Sequence, residues 1–477
     1  MQLESDLMHN LFVGLTSWDR TGRTVPGMAT AWSTSADGLT WTFRLRDANW
    51  SDGAPFTAED FVFTFRRALD PKTAAPYVTP LMVIKGGHDI AAGKAPPSTL
   101  GVYAPDARTV VIELDHPVAN LADIMAYMAA LPSPKHVVEK WGDAWIKPEH
   151  FVGNGAYTLA SFDADGGTVM RENRRYFEPG RRCFSEVRNF VTTDMITAER
   201  RVASGEMDIA NRFKGTRVTY LRREMPDFVR TGHLAAPDWI AFNLQVPALR
   251  DIRVRQAMAM AIDSEFITRS LTKAVEVPIY SYTPSNLPGY VGPQVPWKDW
   301  TFDRRISVAR DLMRQAGYSA GKPLRLDFGL SGGNDRRLAA ILQADWRSIG
   351  VEITVNSQES AVYYNDMRIH KFEVGLTGWV TDFLEPGTFL DLLKKGDEAN
   401  YASYDNPHVE AMVDAANRQP DAKRRRAMMR QAEEIVLRDL PVAPAWLESE
   451  RFLVNPRITG FYNNPLGSHR YEFLCEK

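Results

Sequence analysis

The segment 324–355 constrains the fold of this chain most, because it places a helix pattern between two strand patterns. Residues 324–330 alternate apolar and polar side chains, residues 336–349 carry apolar side chains at helical spacing, and residues 351–355 alternate again. Two strands joined through a helix form a βαβ unit. Further helices are predicted at 409–417 and 421–437. The predicted fold class is therefore mixed α/β.

The length and charge of the chain limit its organisation and its partners. A chain of 477 residues exceeds what one hydrophobic core usually serves, so two or three lobes are expected. With a formal net charge of −2 there is no broad basic field, so neither nucleic acid nor an anionic membrane is an expected partner. The basic run 423–426 lies in a helix pattern and is interpreted as a solvated helix face.

The two cysteines, Cys183 and Cys475, leave two possibilities open. Both could be buried thiols, or they could form one bridge in an oxidising compartment. The sequence contains neither a CxxC pair nor a Cys/His cluster with zinc spacing, so no metal and no cofactor are expected.

The first residues of the sequence and its hydropathy bear on where the protein acts in the cell. No run of 18 apolar residues predicts a membrane span. The residues from Met1 to Asp6 lack the basic and then apolar pattern of a signal peptide. Either the protein is cytoplasmic, or the sequence begins downstream of its natural start.

Several local elements follow from periodicity and capping. A helix is predicted over residues 1–15. Thr57 and Asp60 have the spacing of a capping box at a second helix start. The strongest helix pattern covers 251–271, with Asp263 where one helix ends and another begins.

The stretch 372–386 is the strongest candidate for a binding segment. A strand pattern ends at Gly378, the large indole of Trp379 follows, and Asp382 comes shortly before Pro386. An indole supplies apolar area and an aspartate supplies one fixed charge, as a ligand pocket needs. From these residues alone, a core position for Trp379 and a capping role of Asp382 at the next helix are favoured over a pocket.

Blocks of sequence along the chain resemble one family, the peptide-binding receptors of ABC importers. These are solute-binding proteins of the dipeptide and oligopeptide type, family 5, and the oligopeptide branch is the most similar. The similarity runs in order from near residue 3 to the C-terminus. The blocks that carry it are 41–62 with Trp50-Ser51-Asp52-Gly53, Asn154-Gly155-Ala156-Tyr157, 204–208, 251–263, 280–284 and Tyr404-Asp405-Asn406-Pro407.

The resemblance implies a three-lobed periplasmic-binding-protein fold in which two jaws close about a hinge. The expected lobes are residues 1–12, 136–235 and 449–477 for lobe I, 13–135 for lobe II and 236–448 for lobe III. The implied function is that of a non-enzymatic extracytoplasmic receptor. A monomer captures short peptides and delivers them to an ABC permease in the membrane.

The resemblance also implies site residues. Gly378, Trp379 and Asp382 match a Gly-Trp-x-x-Asp segment in which the aspartate pairs with the α-ammonium group of the peptide. Tyr77 and Asn400 match a tyrosine and an asparagine of the pocket. Arg212 and Phe213 occupy a loop that reaches the ligand in the family.

Two departures from the family pattern alter the expectation. Met367 and Leu376 replace arginines, and Asp335 replaces a histidine, at positions that receive peptide carboxylates, so carboxylate recognition is expected to differ. The family normally begins with a signal sequence and a first strand. This chain is therefore expected to be truncated and to act in the periplasm, or at the cell surface as a lipoprotein.

Two alternatives remain at this stage. The same scaffold could bind a non-standard ligand with an amine, such as an opine, a murein peptide or another amino-acid conjugate. A peptide hydrolase is less favoured, because the sequence contains no HExxH.

Overall fold

The computed structural model describes residues 2–75, 77–164, 166–178, 180, 182–192, 194–273, 275–332 and 336–477. Its chain forms two compact units, each made of several segments. The first comprises Met1–Asn211, Asn417–Asp421 and Leu453–Lys477, and the second comprises Arg212–Ala416 and Ala422–Phe452. The division into three lobes stays a prediction.

The first unit contains most of the short strands. Its helices are α1 (Gln2–Leu11), α2 (Ala58–Leu69), α3 (Gly87–Ala91), α4 (Leu121–Ile124), α5 (Lys135–Trp141) and α6 (Met195–Ala203). Its strands are β1 (Thr16–Trp18), β2 (Thr24–Pro26), β3 (Ala29–Thr34), β4 (Thr40–Leu45), β5 (Val102–Asp106), β6 (Thr109–Glu113), β7 (Tyr157–Asp163), β8 (Gly167–Glu172), β9 (Glu186–Asn189) and β10 (Ile209–Ala210), with β17 (Ile458–Thr459) and β18 (Cys475–Glu476) near the C-terminus.

The second unit contains longer strands and most of the remaining helices. Its helices are α7 (Val218–Glu224), α8 (Ile252–Met260), α9 (Ser264–Ser270), α10 (Phe302–Gln315), α11 (Arg336–Arg347), α12 (Ser360–Arg368), α13 (Gly387–Leu390), α14 (Pro407–Asn417) and α15 (Ala422–Asp439). Its strands are β11 (Val229–Phe242), β12 (Val277–Pro278), β13 (Leu324–Ser331), β14 (Val351–Gln358), β15 (Val374–Gly378) and β16 (Val442–Val454), whose last residues return to the first unit.

Long-range contacts shorten the first helix. The prediction of a helix over 1–15 is wrong beyond Leu11, where α1 ends and the chain leads into β1. The backbone N–H of Val13 donates to Oδ1 of Asn154, and Nδ2 of Asn154 donates back to the Val13 carbonyl, both at 2.9 Å. These bonds satisfy the backbone of Val13 outside a helix, and helical periodicity contains no information about them.

A disulfide joins Cys183 to Cys475 in the first unit, with a Cα–Cα distance of 5.0 Å and a sequence separation of 292. The bridge decides between the two alternatives that the sequence left open. Closing so long a loop restricts the unfolded chain, and a disulfide of this kind typically stabilises the folded state by about 2–4 kcal/mol.

Removal of the bridge should lower the melting temperature. We expect the variant Cys183→Ser/Cys475→Ser to melt several degrees below the unaltered protein in differential scanning calorimetry. Reductant should lower the melting temperature of the unaltered protein and leave that of the double variant unchanged. Equal melting temperatures without reductant would show that the bridge contributes no stability.

The second unit is built on one sheet with the strand order β16-β11-β15-β13-β14, and β12 lies beside β16. β13 and β14 are parallel, from Leu324 opposite Val351 to Ser331 opposite Gln358. The fully buried Trp346 of α11 contacts Phe328 edge-on at 5.5 Å, and its indole N–H donates to the Met258 carbonyl at 2.9 Å. The predicted βαβ unit is confirmed.

Helix capping confirms one prediction from the sequence, and ion pairing corrects another. The 251–271 pattern divides as predicted into α8 and α9, and Oδ1 of Asp263 accepts the Phe266 N–H at 3.0 Å. The interpretation of 423–426 as a solvated face is wrong for Arg425 and Arg426. Both pair with the buried carboxylate of Glu385, at 3.4 and 3.0 Å, because this side of α15 packs inward.

Over the described ranges, no helix is both long and apolar enough to cross a membrane. Among the same residues, no group of three or more His, Cys, Asp or Glu side chains is placed to hold a metal ion.

Candidate ligand-binding site

The antiparallel pairing of β11 with β15 positions the Gly-Trp segment. Their register runs from Phe242 opposite Val374 to Asp238 opposite Gly378. The pairing continues past the strand end, because the N–H of Trp379 donates to the Pro237 carbonyl at 3.2 Å.

Two further hydrogen bonds fix the chain just before Asp382. The backbone N–H of Thr381 donates to the Ala235 carbonyl on β11 at 3.1 Å, and the Thr381 hydroxyl donates to the Phe383 carbonyl at 2.5 Å. Asp382 follows directly and is partly buried. Its backbone is thus held by a strand rather than by a free loop.

Gly378 is required by close packing. A Cβ atom at this position would collide with the carboxylate of Asp238 and would lie 2.9 Å from the Pro237 carbonyl oxygen. No larger residue fits without moving β11 away from β15. The sequence signal of a glycine at a strand end therefore has a steric cause.

A small, partly enclosed cavity with a water-accessible volume of about 20 Å³, room for about one water molecule, lies beside this segment, within the second unit. Aromatic and small apolar side chains form most of its surface. The lining residues are Trp239, Ala241, Tyr282, Thr377, Gly378, Trp379, Leu392, Leu393, Ala399, Tyr401, Ala402 and Val442. A cavity of this size is well below the volume of a small-molecule site.

Hydrogen bonds hold two of its aromatic rings. The rings of Trp239 and Tyr282 stack with centroids 4.8 Å apart. The Trp239 indole donates to the Tyr282 carbonyl at 2.8 Å, and the Tyr282 hydroxyl donates to the Phe389 carbonyl at 2.8 Å. These rings are therefore fixed in place, and the cavity shape does not depend on their rotamers.

Asn400 organises the loop on the opposite side of the cavity. Its amide donates to the carbonyls of Leu393, Lys394 and Tyr404 at 3.3, 3.1 and 2.8 Å, and its Oδ1 accepts the Tyr404 N–H at 2.9 Å. Its neighbours Ala399 and Tyr401 line the cavity. These contacts favour a role in positioning the loop, and direct contact of Asn400 with ligand stays a prediction.

The structure brings only some of the predicted site residues together. Gly378, Trp379 and Asp382 lie within one stretch of five residues at the end of β15, in the second unit. Phe213 belongs to that unit and is buried, and Arg212 before it is exposed. Tyr77 belongs to the first unit.

Tyr77 packs against an aromatic residue of its own unit. Its ring is partly buried and meets the ring of Tyr127 edge-on, with centroids 5.8 Å apart. Ligand contacts of Tyr77, Arg212 and Phe213 stay predictions.

A family assignment follows from residues 23–401, which match the model of the bacterial extracellular solute-binding proteins, family 5 middle. The chain belongs to this family. The resemblance inferred from the sequence blocks is thereby confirmed.

Three comparisons give the extent of the similarity. The periplasmic oligopeptide-binding protein of Escherichia coli (strain K12) is 31% identical over 465 residues, which cover 96% of this chain and 85% of that protein. The periplasmic murein peptide-binding protein of the same strain is 32% identical over 468 residues, covering 97% and 87%. A structure of the Haemophilus influenzae oligopeptide-binding protein in complex with RPPGFSPFR superposes with a TM-score of 0.83 at 28% identity, covering 99% and 94%. The mixed α/β fold class is confirmed.

Two positions at which this chain departs from the residue type expected for family 5 lie in the apolar interior. Met367 is fully buried, and Leu376 is 5% exposed. The Leu376 carbonyl accepts the Tyr363 hydroxyl at 2.8 Å. Apolar side chains thus suit both places. Asp335, the third departure, lies outside the described residues.

The sequence did not predict a cluster of buried carboxyl groups beside Gly378. Burial raises the pKa of Asp238 well above its usual range, and the nearby carboxylates of Glu448 and Glu276 raise it further. The Trp446 indole N–H donates to Oδ2 of Asp238 at 2.6 Å and opposes this effect. Asp238 lies on β11, Glu448 on β16 and Glu276 just before β12, so no sequence spacing could have revealed the cluster.

Two arginines offset part of this negative charge. Burial raises the pKa of Glu276 to about 7, and Arg451, 3.7 Å away, opposes the shift. Burial also raises the pKa of Glu448, and the charges of Arg212 and Arg451 oppose it. Arg212, predicted to reach the ligand, thus acts electrostatically on Glu448.

Stability should fall as pH rises through the titration of Glu276. A carboxyl group with a folded-state pKa of about 7 and an ordinary value of 4.5 favours folding while it is protonated. That contribution is present below pH 4.5 and is lost as pH rises to about 7. We expect Glu276→Gln, which stays neutral, to melt higher than the unaltered protein at pH 8 and equally at pH 4.5.

Thermal melts of ligand-free protein from pH 4.5 to 8 test this prediction. Glu352→Gln provides a matched control, because Glu352 lies on β14 with its side chain 44% exposed beside Arg325. A pH-independent difference between Glu276→Gln and the unaltered protein would contradict the assigned titration.

Proposed function

We propose that this protein is an extracytoplasmic receptor that captures short peptides and delivers them to an ABC importer. Membership of family 5 and the names of the relatives support this proposal: they are periplasmic peptide-binding proteins. The receptor acts as a monomer with a membrane permease as its partner. Its role is binding rather than catalysis, in keeping with those relatives.

The observation that carries the proposal is the placement of Asp382. The bonds of Trp379 and Thr381 to β11 fix the backbone up to this residue, and the small aromatic cavity lies beside Trp379, three residues earlier. A peptide of any sequence has an α-ammonium group, so a carboxylate at a fixed position recognises peptides in general. In a closed, dry site this charge-assisted hydrogen bond is stronger than it would be in water.

Selectivity follows from the cost of an unmatched charge. A ligand without an ammonium group would bury the Asp382 carboxylate without a ligand cation, and this costs on the order of 3–5 kcal/mol. Such a ligand would bind poorly even if its other contacts were good. Peptide side chains contribute less, because water bridges their polar groups at little cost.

The alternative ligand is an amine-bearing conjugate, such as an opine or a murein peptide. The observation that favours this alternative is that the apolar Met367 and Leu376 stand in place of arginines. Mass spectrometry of ligand that co-purifies with the protein separates the two, because a general receptor holds a mixture of short peptides. Incubated peptides that return shortened would indicate a hydrolase instead.

Neutralising Asp382 should abolish recognition of the peptide amine. We expect Asp382→Asn to bind trialanine about 100-fold more weakly than the unaltered protein, as measured by isothermal titration calorimetry. N-acetylated trialanine should bind the unaltered protein with a similar loss. The variant should distinguish little between the two peptides, because the pair of charges is already broken.

Asp143→Asn serves as the control, since Asp143 is fully exposed on the surface of the first unit. It should bind trialanine like the unaltered protein. If Asp382→Asn still preferred the free amine by the original factor, the ammonium would bind elsewhere and the role of Asp382 would be wrong.

A further inference from the structure

We infer that Glu385 is a positioning residue, whose ion pairs with α15 hold Asp382 at the place where it meets the ammonium group of a peptide. This inference rests on the proposed function and names a further residue of the same site. Glu385 acts through Asp382 and not on the ligand itself.

The stretch between Thr381 and Glu385 is short, and its upstream end is held. The backbone N–H of Thr381 donates to the Ala235 carbonyl on β11 at 3.1 Å. At the other end Pro386 leads into α13, and a proline restricts the backbone of the residue before it. Asp382 is the first of the three residues between these ends. Its position therefore depends on where Glu385 is held.

The side chain of Glu385 fixes this downstream end. Its side chain is 11% exposed, and Oε1 accepts from Nη2 of Arg425 at 3.4 Å and from Nη2 of Arg426 at 3.0 Å. Both arginines lie in the early part of α15, whose apolar side packs into the core. Two guanidinium groups on one carboxylate fix its direction as well as its distance. A packed helix thus sets the position of Glu385.

The surroundings leave room for this ion pair. Gly289 has a φ of 67°, and a Cβ atom there would lie 2.7 Å from Nη1 of Arg426. A glycine at this turn lets the guanidinium group approach Glu385. Stability alone gives little reason for the arrangement, because a buried ion pair is often no more stabilising than apolar side chains of the same size. Its contribution here is a defined geometry.

Recognition of an ammonium group benefits from that geometry. A charge-assisted hydrogen bond requires a donor–acceptor distance of about 2.7–2.9 Å, so a carboxylate that moves forms it less often. A carboxylate that is already held in place loses little conformational entropy when the ligand arrives. The ion pairs of Glu385 therefore favour binding at Asp382 without any contact with the peptide.

The ratio of two dissociation constants measures this role. Titration calorimetry on the full chain gives the values for N-acetylated trialanine and for trialanine, and only trialanine has an ammonium group. A general loosening of the protein weakens both peptides alike and leaves the ratio unchanged. Displacement of Asp382 weakens trialanine alone. We expect Glu385→Gln to lower the ratio about tenfold.

Arg426→Gln separates positioning from charge. Glu385→Gln removes a negative charge near the site, and this alone would weaken the binding of a cation. Arg426→Gln removes a positive charge, which by charge alone would raise the ratio. Positioning requires that both variants lower it. Arg426→Lys retains the charge and should lower the ratio less than Arg426→Gln does. The double variant Glu385→Gln/Arg426→Gln should match Glu385→Gln, because both lack the same ion pair.

Glu265→Gln is the matched control. Glu265 on α9 pairs with the buried guanidinium group of Arg305 at 3.2 Å, so this variant also removes a carboxylate from a buried arginine of the second unit. It should leave the ratio unchanged. If Glu385→Gln did not fold, Arg426→Gln would decide the question, because Arg425 still pairs with Glu385 in that variant.

The outcomes separate this inference from the proposed function. An unchanged ratio in Glu385→Gln and Arg426→Gln would assign the ion pair a purely structural role, even if the melting temperature fell. A ratio that fell in the first variant and rose in the second would show charge acting at a distance. Either result overturns the inference alone, since Asp382→Asn tests the proposed function. If the unaltered protein bound both peptides equally, the ammonium site would fail and the inference with it.

Discussion

The pairing of β11 with β15 is the constraint on which the candidate site depends. It places Thr377 opposite Trp239 and Gly378 opposite Asp238, and it extends through backbone bonds as far as Thr381. Because a shift of one residue would turn every side chain to the other face, this register decides which groups line the cavity. The glycine at its end lets the two strands approach closely, since any Cβ would meet Asp238. Buried apolar side chains on the remaining strands and helices hold the sheet in this arrangement.

Charge burial distinguishes this region from an ordinary core. Asp238, Glu276 and Glu448 have raised pKa values, and Arg212 and Arg451 compensate only in part. Nearby, burial also raises the pKa of Glu433 to about 7, although Thr283 and Tyr290 donate hydrogen bonds to it. Isolated buried carboxylates are costly, so their concentration in the second unit lowers stability at neutral pH. Perturbed groups of this kind cluster at functional sites more often than elsewhere.

The proposed ligand recognition combines one charge with several weaker contacts. A carboxylate for the common ammonium group gives breadth, because every peptide with a free amine satisfies it. The apolar Met367 and Leu376 remove the possibility of cationic contacts at their positions, so a ligand carboxylate needs other partners.

Local sequence was sufficient for much of the fold and for part of the site. Periodicity predicted the βαβ unit and the division of 251–271 at Asp263, because those elements follow from backbone geometry and capping of neighbouring residues. The Gly378-Trp379 segment was found in the same way, since a glycine at a strand end is a local signal. The end of α1, the bridge between Cys183 and Cys475, the pairing of Glu385 with Arg425 and Arg426, and the carboxylates around Asp238 were decided by the tertiary structure. Each of these features depends on contacts between residues that are far apart in the sequence. The pattern of neighbouring residues carries no information about such contacts.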